Sequence, residues 1–445
     1  MNTIYNPITC YLPDNFALED ILCYNKRWKE KYIYFIHTIV FRSLRDKGSF
    51  SGFVNLPQVI LQHLLGSKYS RHIINQLVNS GVIEINKSYL SGAFSKSYRL
   101  TEKYRIDRGI TTTQITKQTY CRKIALSRDK QAKEILKLQP LLKHEFLQLS
   151  YRKIKLQEAM EYISSTYELN SPQYSSRLIA IEQFDAMSQK DKDFTFTYKG
   201  GRLYTPCTSL ARDLEQFTYF GGYEQEQSVS IDMPNSQLCF FSKYAKVHNI
   251  GNEDTGERDF AQTQEKFITK KANSIPSIPS PIPLPYVMNF SQWDNLIFKG
   301  QGYETMMSLY NWKGKKNGHT QEERQEFKAE FFGQLFYNSY KDALTKMEQV
   351  FMFNFEADVK KLRDLKKVLG NRQLAIEVQT LEGNFFHNAI TNYMINSRNY
   401  DIPFTIKHDS ITLPMSEASH LIEELNKLVR EFFGRNDISF KFDVL

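Results

Sequence analysis

Two strand-like runs, far apart in the chain, each deliver an aspartate, and any fold has to accommodate that pair. The first is Val229-Ser-Ile-Asp232, where alternating apolar residues end on a carboxylate. The second runs from Phe404 through Thr-Ile-Lys-His408-Asp409-Ser to Leu413, with apolar residues at alternate positions on both sides of His408-Asp409. A period of two marks strands, so Asp232 is expected at the end of a buried strand and Asp409 beside a hairpin turn. Between them stands Arg324-Gln-Glu-Phe-Lys328-Ala-Glu-Phe-Phe332-Gly333. Arg324, Lys328, Phe332 and Phe336 recur every four residues and so share one helix face, while Phe327, Phe331 and Leu335 form the adjacent stripe expected to face the core.

Taken singly, each aspartate reads as a turn or capping residue, and Arg324 and Lys328 read as a solvated helix face. Their combination is more specific. Two carboxylates on neighbouring strands can share a pair of divalent cations, and magnesium suits oxygen ligands while keeping positions open for water or phosphate. A helix presenting arginine and lysine supplies the positioning and charge neutralisation that phosphoryl transfer needs. Lys328 is the natural acid for a departing pyrophosphate. Phe332 and Phe336 are expected to stack on a base or wall off its sugar. The set predicts Asp232, Asp409 and Lys328 at a reaction on nucleoside triphosphates, with two Mg2+ ions on the aspartates.

These motifs resemble those of family A DNA polymerases, the class of bacterial DNA polymerase I. The pattern Arg-x-x-x-Lys-x-x-x-Phe-Gly at 324–333 is similar to the fingers helix of that family, Asp232 to its first palm motif and His408-Asp409 to its last. Gly201-Arg202-Leu203 is similar to the segment that lies in the primer–template minor groove. Arg372 to Gln379 is similar to the helix leading into the last motif, with Gln379 near the primer terminus. The likeness covers about residues 120–445. It implies an α+β fold of right-hand form, with an antiparallel palm sheet and helical fingers and thumb. It also implies that Arg202, Arg372 and Gln379 contact primer–template nucleic acid, and that Arg324, Lys328, Phe332, Phe336, Gln237 and His408 surround the nucleotide.

Departures from the family pattern bear on the substrate. Ser410 stands where the family has glutamate, a feature that resembles the single-subunit phage RNA polymerases. Gln237, five residues after the first aspartate, replaces a glutamate, and Phe336 replaces a tyrosine. Both replacements keep a crowded sugar pocket, which favours deoxynucleotides, whereas Ser410 points the other way. No Asp-x-Glu metal pair in a suitable setting precedes residue 120, so no proofreading exonuclease is expected. The expectation is an exonuclease-free DNA polymerase of a phage, plasmid or mobile element. An RNA polymerase or primase on the same scaffold, and a non-catalytic DNA-binding replication initiator, stay open.

The rest of the chain reads as follows. Residues 1–115 contain three apolar-periodic helices, at Lys31–Arg45, Leu56–Leu65 and Ser70–Val78, then two short strands at Val82–Ile85 and Ser97–Leu100. That is the pattern of a winged helix-turn-helix, which would meet a duplex through Lys68, Arg71 and His72 or hold a protein partner. Residues 116–198 read as a thumb-like region, with two long, exposed, basic helices over 122–169 interrupted by Pro140, and residues 199–445 as palm and fingers, the fingers at about 245–370. The proline-rich run 274–285 is expected to form an extended strap, a tether or a second partner-binding segment. A net charge of +9 agrees with a polyanionic partner. The five cysteines are scattered without a C-x-x-C pair, against zinc ribbons and disulfide frameworks. With no bilayer-length apolar run and no signal peptide, a cytoplasmic location without membrane contact is expected.

Overall fold

The computed structural model describes residues 4–47, 52–88, 95–105, 109–189, 196–247, 292–341, 343–396 and 401–444. It is a mixed α+β protein whose sheets are small and antiparallel. The chain forms two compact units, one of Met1–Leu138, Leu149–Phe196 and Thr205–Gly221, the other of Gln139–Gln148, Thr197–Tyr204 and Gly222–Leu445. The proline-rich run 274–285 lies outside the described residues.

In the first unit the helix Lys29–Lys47 buries Tyr32, Phe35, Ile36, Ile39 and Val40, the three- and four-residue spacing of a core-facing stripe. Helices Gln58–Leu65 and Ser70–Asn79 follow. A three-stranded antiparallel sheet accompanies them, with Ser97–Leu100 in the middle between Val54–Asn55 and Ile83–Asn86. A second, two-stranded pairing joins Ile8–Pro13 to Ile110–Ile115.

The region expected to stand apart at 116–198 does not keep those limits. Tyr120, Cys121 and Ile124 of the helix Gln118–Leu138, and Ile179 of the helix Pro172–Ser188, share the core of Tyr32, Phe35 and Ile36. Apolar packing ties these helices to the first unit, and basic composition hid it. The expected pair of long helices also differs. The first ends before Pro140, a short helix Leu142–Leu149 follows, and the chain then turns into the strand Arg152–Ile154, paired with Thr218–Phe220. Arg152 fixes that strand: its buried guanidinium donates to the Thr218 hydroxyl at 2.6 Å and lies 4.5 Å over the Phe220 ring.

The second unit is built on a four-stranded antiparallel sheet in the order Thr405–Lys407, Ser410–Pro414, Ser228–Asp232, Lys441–Val444. Ser228 through Ile231 are all buried, because the helix Met415–Phe433 packs on this sheet through Ala418, Leu421, Leu425 and Val429. The helix expected at 324–332 spans Gln321–Phe332. It starts on a reciprocal cap, in which the Thr320 hydroxyl accepts from the Glu323 N–H and the Glu323 carboxylate accepts from the Thr320 N–H. Phe327, Phe331 and Leu335 are buried, as their spacing requires. Among the described residues no helix is long and apolar enough to cross a membrane.

One buried histidine makes the first unit sensitive to acid. His37 accepts the Tyr11 N–H on Nδ1 at 3.0 Å and packs against Tyr11 and Phe41. Burial, reinforced by Arg128, pushes it from 6.5 down to about 3. The unfolded chain therefore takes up a proton below pH 6.5 that the folded chain refuses. The associated stability is complete above pH 6.5 and is lost as pH falls toward 3, at up to about 1.4 kcal/mol per pH unit. Urea denaturation at pH 7.5 and pH 5 is expected to show this slope, and His37→Asn, which keeps an acceptor but cannot titrate, is expected to flatten it.

Candidate active site

The two aspartates meet at one end of the four-stranded sheet. Asp232 is the last residue of its strand and faces Ser410 across the antiparallel ladder, where facing Cα atoms stand about 4.5–5.5 Å apart. Asp409 is the residue just before Ser410, and its carbonyl accepts the N–H of Met233, the residue just after Asp232, at 3.1 Å. Both side chains are half-buried. Asp232 also accepts from the Ser230 hydroxyl at 2.8 Å.

Asp409 owes its position to a tight turn. Lys407 pairs with Ser410, so His408 and Asp409 alone connect the two strands, and the Ser410 hydroxyl closes the turn on the Lys407 carbonyl at 3.0 Å. His408 has φ 58°, a conformation that two-residue hairpins demand and that side-chain-bearing residues seldom adopt. Its ring meets Tyr204 edge-on at 5.2 Å, and its Nδ1 is buried with no hydrogen-bond partner among the described residues. Burial, with Arg202, Lys407 and His387 adding to it, pushes His408 down to about 4, so the imidazole is neutral at physiological pH.

The Gly200-Gly201-Arg202 segment approaches the same place. It forms the turn of a hairpin, Thr197–Lys199 with Arg202–Tyr204, that lies directly on the helix Asn371–Asn384. A side chain at Gly201 would stand 2.6 Å from the Thr380 Cα, and one at Gly383 would run into the Gly201 carbonyl. This backbone-on-backbone contact brings the Arg202 guanidinium onto Glu382, with Nε at 2.8 Å from Oε2 and Nη2 bound to the same oxygen. Ser236 donates to the other carboxylate oxygen at 2.5 Å. Glu382 has no solvent exposure. Burial pushes its carboxyl up and Asp409 adds to that, while Arg202 and Ser236 pull the other way.

A second buried relay fixes the height of the hairpin. His387 accepts the Leu203 N–H on Nε2 at 3.4 Å, so its Nδ1 carries the proton that Glu145 accepts at 2.8 Å. Thr391 donates to the same carboxylate at 2.7 Å.

The cationic helix reaches this cluster through a tyrosine. Arg324 and Lys328 both lie over the Tyr303 ring, at 5.5 and 5.6 Å from its centroid. Burial raises the Tyr303 hydroxyl well above its ordinary value; Arg324 opposes the shift, and Asp409 and Glu382 reinforce it. Tyr303 therefore lies within electrostatic reach of both the helix and the carboxylates. Arg324 is paired with Glu304 at 2.6 Å, whereas Lys328 has no carboxylate partner among the described residues.

Phe336 departs from expectation. The helix gives way after Phe332 to a π turn, Gly333–Tyr337, and the wider turn carries Phe336 into the core against Phe241 and Phe332. Buried Lys366 holds that turn by donating to the Leu335 carbonyl, and burial pushes Lys366 down to about 8. Phe332 and Gln237 are half-buried. Gln379 lies against the glycine turn, its Oε1 3.1 Å from where a Gly200 side chain would begin. Arg372, two turns earlier on that helix, is exposed. In the first unit Lys68, Arg71 and His72 are exposed.

Sequence reasoning missed Glu382, Tyr303, Ser236 and the Glu145–His387 pair. Only Glu382 left a signal, the adjacent Gly383, a helix-interior glycine that needs a reason.

No protein-family model matches the chain, and no curated protein matches it. Among the described residues no group of three or more His, Cys, Asp or Glu side chains is arranged to hold a metal ion. An ion of the magnesium type needs only one or two carboxylates together with phosphate oxygens from a substrate, and Asp232 and Asp409 are carboxylates whose backbones adjoin.

The glycine contact gives a direct stability test. Gly383→Ala forces the hairpin off its helix and is expected to cost more than about 2 kcal/mol. Gly333→Ala, at a helical φ of −55° with nothing within 4 Å, is expected to stabilise by roughly 0.5–1 kcal/mol. Paired thermal melts measure both.

Proposed function

We propose that this chain is a template-directed nucleotidyltransferase, most specifically an exonuclease-free DNA polymerase with a right-hand, family A-like arrangement and a winged-helix front end. The observation that carries the reading is the meeting of Asp232 and Asp409 on adjacent strand ends, within reach of Arg202, Glu382 and a helix whose Lys328 has no carboxylate partner among the described residues. The four-stranded sheet then corresponds to a palm and the helix Gln321–Phe332 to part of the fingers. The order helix, strand, helix, helix, strand, strand within residues 29–100, with the last strand central, supports the winged-helix assignment.

In this reading each residue has a defined task. Asp232 and Asp409 hold magnesium together with the triphosphate. When bound, the ions favour the ionised 3′-hydroxyl and neutralise charge on the leaving pyrophosphate. Lys328 approaches the phosphates and donates a proton to the pyrophosphate oxygen as the bond breaks. Arg324 adds positive charge once released from Glu304. Arg202, held by Glu382, faces the primer–template beside Gln379. Phe332 and Gln237 border the sugar. Phe336 acts only from behind, by backing Phe332. Tyr204 and neutral His408 keep Asp409 in place without adding charge near the metal.

The reading is tested by primer extension with magnesium. Asp409→Asn is expected to lower incorporation at least about a hundredfold while leaving nucleic-acid binding nearly unchanged. Lys328→Ala is expected to lower turnover by about 10²- to 10⁴-fold. Incorporation by Asp409→Asn at the normal rate overturns the metal assignment. Parallel reactions with ribonucleotides and with unprimed template separate a DNA polymerase from an RNA polymerase or primase, since unprimed RNA synthesis belongs only to the latter.

A further inference from the structure

A cluster of aromatic rings on the surface of the first unit takes no part in the site above. Trp28 lies 5.4 Å from Tyr69 and 5.1 Å from His72, ring centroid to ring centroid. Tyr69 is 44% exposed, His72 is exposed, and Trp28 is half-buried with its other side on Tyr32. Large rings left partly in water forgo much of the stabilisation that burial would bring, so such a cluster suits a flat, apolar-faced ligand.

Positive charge gathers at the same spot. Lys31 holds its ammonium 4.5 Å from the Tyr69 ring centroid. Lys26 and Arg27 precede Trp28 in a short 3-10 turn, Lys68 precedes Tyr69 and Arg71 precedes His72; all four are exposed. None of these five cations has a carboxylate partner among the described residues. The charge does not continue along the helix Ser70–Asn79, whose exposed positions beyond His72 are Asn75, Val78 and Asn79. Here the cations concentrate around the rings.

We propose that Trp28, Tyr69 and His72 form a stacking platform for single-stranded nucleic acid, with a base on the rings and the flanking phosphates beside Lys26, Arg27, Lys31, Lys68 and Arg71. Bases within a duplex have both faces covered by their neighbours, whereas an unpaired base offers a free face to an aromatic ring. The inference deepens the proposed function by naming a strand form for the first unit, and it shares with that reading only the choice of nucleic acid as partner.

Binding is measured on the full chain, without nucleotides and with a chelator present, by anisotropy of labelled oligo(dT), oligo(rU) and a blunt duplex of equal length. Single strands are expected to bind at least about tenfold more tightly than the duplex, and the two oligomers report whether DNA or RNA is preferred. Trp28→Ala and Tyr69→Ala are each expected to weaken single-strand binding by about five- to a hundredfold with little change in salt dependence. Trp28→Phe, which keeps a ring and the packing on Tyr32, is expected to restore most of the affinity and guards against a folding defect. Lys68→Ala and Arg71→Ala are expected to reduce the salt slope instead. Equal affinity for duplex and single strand, or ring variants that bind like wild type, overturns the platform. Ring-dependent binding by a chain that incorporates no nucleotide supports the platform and overturns only the polymerase reading. Incorporation without ring dependence does the reverse.

Discussion

The Arg202–Glu382 pair is the contact on which the second unit's geometry depends. Removing two charges from water is expensive, and a buried ion pair is tolerated only when its geometry and remaining hydrogen bonds are good. Here Arg202 binds one carboxylate oxygen through two nitrogens and Ser236 takes the other. The approach is close enough only because Gly201 and Gly383 let two backbones touch. Three segments distant in sequence, around residues 202, 236 and 382, are thereby locked together. The hairpin so fixed hands its next two residues to the site: the Leu203 N–H to His387, and the Tyr204 ring to His408.

Some departures from local rules stand close to the two aspartates. His408 takes a positive φ that glycine would adopt more easily, and it buries an unpartnered ring nitrogen. Glu382 is a wholly buried carboxylate, and Lys328 is a half-buried cation without a counter-charge among the described residues. Each carries a cost that packing elsewhere must offset, and strain of this kind persists where the surrounding structure over-determines it. Arg202 matches the Glu382 charge, as Arg363 and Lys366 match that of buried Glu348.

What could be read from the residues alone followed from periodicity. The strand ending at Asp232, the hairpin around Asp409 and the buried stripe Phe327, Phe331 and Leu335 all announce themselves by spacing. Gln379, expected near the primer terminus, lies against the glycine turn one turn before Glu382, the residue that holds Arg202. Gly383 marks a close backbone approach beside Glu382, but it does not name the partner, which lies far away in the chain. Phe336 misled for a different reason: a four-residue step assumes a regular helix, and the π turn adds a residue. Boundaries at 115 and 198 failed because composition reports exposed charge, whereas Tyr120 and Ile179 declare their unit through what they pack against.

The strand Ser228–Asp232 sits between neighbours that both come from far later in the chain, Ser410–Pro414 and Lys441–Val444. During synthesis it leaves the ribosome before either partner and waits until residues 410–444 have been made. Its apolar residues are exposed throughout that interval to any other chain with a free edge. Such long-range closure is slow, so this sheet should be among the last parts to become native, and a chaperone that shields nascent strands would have its clearest client here.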